Sequence, residues 1–115
     1  ERRHPINTRV FMLLTKNGDP FKAFYRDRER NDHTCYSVYF RVEEVFDNCC
    51  ATLRVLVPLN RKREEVDLVD CSNTTIDLKK ICETRRYRAT ESCITVDLSC
   101  FCGVQCIDDV FLDIC

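Results

Sequence analysis

Along most of this chain apolar and polar side chains alternate with a period of two, the signature of strands with one face buried. Arg9–Thr15 (RVFMLLT) is a continuous apolar run of strand length. KNGDP follows it, with Asn17-Gly18 as a strong turn pair and Pro20 opening the next segment. Phe21–Tyr25 reads as a second strand, so the two runs predict a hairpin, and the charged stretch Arg26–His33 predicts a loop. Cys35–Val45 alternates most cleanly: Tyr36, Val38, Phe40 and Val42 share one face, and Cys35, Ser37, Tyr39, Arg41 and Glu43 the other. Leu53, Val55 and Val57 alternate with Thr52, Arg54 and Leu56, and Pro58 is expected to stop that strand. Val66–Cys71 is a shorter candidate strand. Ile76, Lys80, Ile81 and Cys82 fit helical spacing within Thr75–Arg85, with Thr74 or Thr75 as N-cap. Ile94, Val96, Leu98, Cys100 and Cys102 line the last predicted strand face. The tail IDDVFLDIC is apolar enough to pack, with Cys115 as its anchor, whereas residues 1–8 are polar and expected to be loose.

These elements predict a mainly β fold: a small antiparallel sheet domain over residues 1–115, with one short helix near 75–85. Composition then shapes the picture. Ten of 115 residues are cysteine, an even number, at the density of a disulfide scaffold in a short secreted chain. Such thiols would not persist as bridges in a reducing cytosol, so the expected setting is extracellular, with any leader already absent. No apolar run approaches the ~20 residues of a membrane span. Glycine is scarce, at two, which favours real strands over a turn-rich knot. Eighteen basic residues nearly cancel nineteen acidic ones. Their signs interleave, as in Arg26-Asp27-Arg28-Glu29-Arg30 and Arg61-Lys62-Arg63-Glu64-Glu65. That pattern describes solvated faces and not the one-signed field that binds nucleic acid.

The cysteines have three possible uses. Structural zinc wants two sets of ligands two to four residues apart; Cys102 and Cys106 supply one set and nothing supplies the second. Thiol redox chemistry wants C-x-x-C at a helix start, and the chain has none. Structural disulfides remain, using Cys35, Cys49, Cys50, Cys71, Cys82, Cys93, Cys100, Cys102, Cys106 and Cys115. In a strand Cys100 and Cys102 would point to one side about 7 Å apart, too far to bond each other. Adjacent Cys49 and Cys50 would point opposite ways. Cys106 and Cys115 are expected to close the tail onto the core through different partners. The spacing leaves the connectivity open.

No catalytic set emerges, and no cofactor or metal is implied. Cys49-Cys50 resembles the paired cysteines of secreted phospholipases, but no His-Asp follows. His4 and His33 lie in charged predicted loops, and the acidic neighbours Glu43-Glu44 and Asp108-Asp109 would point apart in strands. The chain therefore reads as a non-enzyme that works through its surface. Asn73-Thr74-Thr75 is a glycosylation sequon, so Asn73 is a candidate glycan site on an exposed loop. Exposed aromatics beside arginines are the usual anchors of protein interfaces. Phe21, Phe24 and Tyr25 are candidates too, of which Phe21 and Phe24 read as core. Tyr39, on the polar face of its strand, and Tyr87, flanked by Arg86 and Arg88, read as docking residues.

Two families share motifs with the chain. VFMLLTKNGDPFKAFYRDRERNDHTCYSVYF resembles the early strands of tick salivary lipocalins, and FDNCCATLRVLVP and the Cys102, Cys106, Cys115 ending are similar to those of small cysteine-rich salivary binding proteins. ITVDLSCFC resembles the late strand and C-x-C of cystine-knot cytokines. The first likeness implies a secreted, monomeric binding protein that docks an extracellular partner such as a host immune or haemostatic protein. The second implies a growth-factor-like ligand acting as a dimer on a receptor.

Overall fold

A computed structural model describes residues 6–27, 33–68, 76 and 78–112. The strands are β1 (Thr8–Leu14), β2 (Ala23–Asp27), β3 (His33–Ser37), β4 (Tyr39–Val45), β5 (Cys50–Leu59), β6 (Arg86–Asp97) and β7 (Gly103–Val110). A single short helix, α1 (Leu78–Glu83), lies between β5 and β6. The fold is mainly β, as the alternation predicts. Five strands form one sheet in the order β6-β5-β4-β1-β7, and β2 pairs with β3 in a separate two-stranded sheet. Every pairing is antiparallel.

The KNGDP turn forms as expected. Gly18 takes the left-handed conformation at φ +84°. The Thr15 N–H donates to the Asp19 carbonyl at 2.8 Å, and the Phe21 N–H to the Leu13 carbonyl at 2.8 Å. The expected hairpin stops there, at an isolated Leu14–Pro20 bridge. Both edges of β1 are occupied, by β4 and β7. β2 therefore leaves the ladder and pairs with β3.

The long strand expected over Cys35–Val45 breaks at Val38 into β3 and β4. Buried Ser37 accounts for the break. Its hydroxyl donates to the Leu56 carbonyl at 2.5 Å and accepts the Tyr39 N–H at 3.1 Å. The side chain thus takes over backbone groups that a continuous ladder would use. Below the break, β4 and β5 pair from Tyr39↔Leu56 to Val45↔Ala51.

β5 continues past the predicted stop, running through Pro58 to Leu59. Its last pair with β4 is at Leu56, so Pro58 stands where one side has no ladder to interrupt. Val66–Leu68, expected as a strand, is not one. The Val66 N–H donates to the Pro58 carbonyl at 3.0 Å and the segment lies over the sheet. The rest of that candidate, to Cys71, falls outside the described residues. β6 bulges opposite Val55, where the Thr90 hydroxyl donates to the Val55 carbonyl at 2.7 Å. The last predicted strand face ends early as well. The Asp97 carboxylate accepts the Ser99 N–H at 2.9 Å and its hydroxyl at 2.6 Å, turning Leu98–Cys100 into a single 3₁₀ turn.

Both faces of the large sheet are buried, by different covers. On one face Phe11, Leu13, Phe40, Leu53, Val55 and Val57 pack under Ala23 and Tyr25 of the β2–β3 pair. On the other, Val10, Met12, Tyr39 and Leu56 pack under Val66, Leu68 and Leu112, with Ile76 and Ile81 alongside. Side chains of this size contribute about 1.5–3 kcal/mol each when fully buried. Ile76, just before the helix, and Ile81 within it pack against this layer and dock α1.

Candidate functional site

None of the seven cysteines with described side chains enters either core. Cys49, Cys50, Cys82, Cys93, Cys100, Cys102 and Cys106 are free thiols, and all but the half-buried Cys50 are exposed. Cys35 lies in β3; its side chain, with Cys71 and Cys115, falls outside the described residues, as do His4 and Asn73. Cys106, expected to help close the tail onto the core, sits on β7 opposite Phe11 with its thiol exposed. Cys100 and Cys102 do not share a strand face. Cys100 ends the 3₁₀ turn, and the Cys102 thiol donates to the Thr15 carbonyl at 2.9 Å. Cys93 lies on β6 opposite Arg54. Of the seven, only Cys50, Cys93 and Cys106 lie on strands; Cys106 shares the face of buried Phe11 on the edge strand β7, and the others sit in turns or in α1.

Cys49 has the least comfortable backbone of the set. It occupies the left-handed region, φ +67°, at the tip of the β4–β5 hairpin. That position favours glycine or asparagine, and an ordinary side chain there costs roughly 1–2 kcal/mol. Asn48 supports the turn by accepting the Cys50 N–H at 3.3 Å, and Phe46 closes it by donating to the Cys50 carbonyl at 2.8 Å. Around the tip Glu44, Val45, Phe46 and Asp47 are all exposed.

The predicted docking residues divide. Tyr39 is buried, 1% exposed, and lies edge-on to Tyr87 with ring centroids 5.1 Å apart. It is a core residue, unavailable as a surface anchor, because the face of β4 that looked polar is covered by the segment after β5. Burial raises the Tyr39 phenol above its ordinary value, only partly offset by a hydrogen bond with Thr84. Burial raises Tyr87 further, with Tyr39 and Asp108 adding to it. Tyr25, a candidate anchor, is core; Phe24, read as core, is 60% exposed and packs on Tyr36 with ring centroids 5.2 Å apart. Arg88 donates from Nη2 to Glu65 at 3.1 Å, and Glu65 also accepts from the Tyr25 hydroxyl at 3.3 Å. Arg88 thus helps join β6 to β2. Arg86 is exposed.

Arg63, Arg85, Arg86, Tyr87 and Phe111 line a groove of about 680 Å³. The sequence shows these arginines but not their convergence, since Arg63 and Arg86 are brought together only by the Leu59↔Arg86 register. Arg63 is set by the turn after β5: the Asn60 side-chain oxygen accepts the Lys62 and Glu64 N–H groups at 2.8 and 3.0 Å. A second, apolar cleft of about 250 Å³ lies on the opposite face, among Phe11, Leu13, Val42, Leu53 and Val104, with Cys106 at its rim. Among the described residues no three His, Cys, Asp or Glu side chains gather to hold a metal. No described helix is long and apolar enough to cross a membrane.

Fold and surface together define a β module with a two-sided hydrophobic core and, among the described residues, mostly exposed thiols. The chain belongs to the spore coat protein Z family, whose model it matches over residues 1–109. It is 33% identical over 103 residues to spore coat protein Z of Bacillus subtilis (strain 168), covering 89% of this chain and 64% of that relative. The chain thus spans just under two thirds of the relative's length. No solved structure matches it. Family membership overturns both the salivary lipocalin and the cystine-knot resemblances, whose motifs were short strand-and-cysteine patterns shared by chance. The secreted binder of a host immune or haemostatic protein, the receptor ligand and the extracellular setting fall with them.

Proposed function

We propose that this chain is a structural building block of a spore coat, joined to neighbouring coat proteins through surface contacts and disulfides formed between chains. The observation that carries this reading is the placement of the cysteines: seven free thiols, six of them exposed, spread over the turns, strands and helix. A thiol needs exposure to meet one on another molecule, and many per chain give a network in place of a dimer. Each crosslink joins two thiols and passes two electrons and two protons to an oxidant such as dioxygen. The relative's description as a spore coat protein supports the location.

The test is electrophoresis of coat extracts from sporulating cells that express a tagged chain. Without reductant the tag is expected in a ladder of high-mass species, which collapses to the single chain when dithiothreitol is added. A tag found as single chains without reductant, or outside the coat fraction, would refute the proposal.

A further inference from the structure

The nearly neutral chain is electrically two-ended. Segments 44–50 and 97–100, around the β4–β5 tip, hold three acidic side chains and no basic one, while the neighbouring Glu43 is paired with Arg41 and Arg54. Segments 60–67 and 79–88, at the other end of β5, hold eight basic against four acidic. The ten residues of β5 set the two ends roughly 30 Å apart. The acidic end is a projecting hairpin tip whose Val45 is 63% and Phe46 39% exposed. The basic end carries the groove of Arg63, Arg85 and Arg86, with Tyr87 in its wall. A knob and a groove of opposite charge, each with apolar surface, stand at opposite ends of one molecule.

We infer that the acidic β4–β5 tip of one copy docks in the arginine groove of the next. This rests on the coat-building reading and supplies its geometry. The occupant is a second copy because the charge complementarity lies within one chain: Glu44 and Asp47 face Arg63 and Arg86 of the neighbour, and Phe46 packs against Tyr87. Because tip and groove are different surfaces, each copy keeps one of each free, and the contact propagates into an open chain and does not stop at a dimer. A thiol stands on each side. Cys49 is at the tip, held exposed by its left-handed backbone. Cys82 is exposed beside the groove, where its carbonyl accepts from Arg85 Nη1 at 2.5 Å. Docking brings these two sulfurs together, so oxidation by glutathione disulfide joins Cys49 to Cys82 of the neighbour and releases two molecules of glutathione.

Charge swapping tests the contact with purified full chain, reduced, in sedimentation velocity at low salt. The wild type is expected to form a concentration-dependent series of oligomers that shrinks as salt rises. The groove double variant Arg63→Glu/Arg86→Glu and the tip double variant Glu44→Lys/Asp47→Lys are each expected to weaken self-association by at least ~10-fold. Mixed together they should restore it, since the tip of each then suits the groove of the other. After oxidation of the wild type, peptide mapping should find Cys49–Cys82 linked between chains. Oligomers unchanged by either charge reversal, or a mixture that stays monomeric while both variants keep native circular dichroism, would overturn the inference. So would a wild type that stays monomeric while its groove takes up heparin, a polyanion probe. In each of these cases a reductant-sensitive coat ladder would leave the coat-building role standing.

Discussion

The middle of the large sheet and its rim are built from different chemistry. Where β1, β4 and β5 lie side by side, Phe40, Leu53, Leu13 and Val57 are fully buried and none of the described cysteines enters the packing. Around the rim, on the hairpin tip, the 3₁₀ turn, β7 and α1, exposed thiols recur with little beneath them. The contrast separates two tasks that a cysteine-dense sequence invites one to merge. Hydrophobic burial on both faces holds the chain together, and the described thiols lie outside it.

That separation can be broken in the middle with the largest effect. Phe40→Ala, at 0% exposure and touching both Phe11 and Phe21, should lose about 3–5 kcal/mol in urea unfolding of the reduced protein. Leu53→Ala should lose about 2–5 kcal/mol by the same measure. Ser37→Ala comes next. It strips a buried hydroxyl from the Tyr39 N–H and the Leu56 carbonyl, and a loss of about 1–3 kcal/mol is expected.

A pH titration sharpens the comparison from the other direction. Tyr39 and Tyr87 have phenols raised above their ordinary value of 10.0 by burial. Their contribution is complete below pH ~10. As pH rises past that point the unfolded chain releases phenolic protons that the folded chain keeps, so stability must fall. Tyrosinate absorbance at high pH should therefore show these two rings ionising only together with unfolding. Smallest of all should be Cys93→Ser or Cys106→Ser on the rim, within about 0.5 kcal/mol of the parent, with melting unmoved by reductant. A melting point that drops sharply on reduction would return sulfur to the role of internal scaffold.

Much of the middle was legible in the pattern of the chain. Leu53, Val55 and Val57 read as a buried strand face and are one. The turn at Asn17-Gly18 and the helix inside Thr75–Arg85 were also readable. Two physical facts hid the rest. First, both sheet faces are covered, so a face that looks polar by composition, Ser37-x-Tyr39-x-Arg41, still contains the buried Tyr39. Alternation says which residues share a face but not what lies over it. Second, a cysteine count carries no direction. Ten thiols satisfy the arithmetic of five internal bridges equally well whether they point inward or outward. The charge separation was hidden similarly: signs that interleave along the sequence are sorted into two ends only by the hairpin register of β4, β5 and β6.

One further consequence lies in the pairing of β1 with β7. Thr8 sits opposite Val110, and the Asn7 side chain donates to the Leu112 carbonyl at 2.8 Å while accepting its N–H at 2.9 Å. β1 thus waits for a strand made about a hundred residues later before its outer edge is satisfied. Such long-range closure is slow to nucleate. A newly made chain would keep that edge open, and its fold incomplete, until the late strand has left the ribosome.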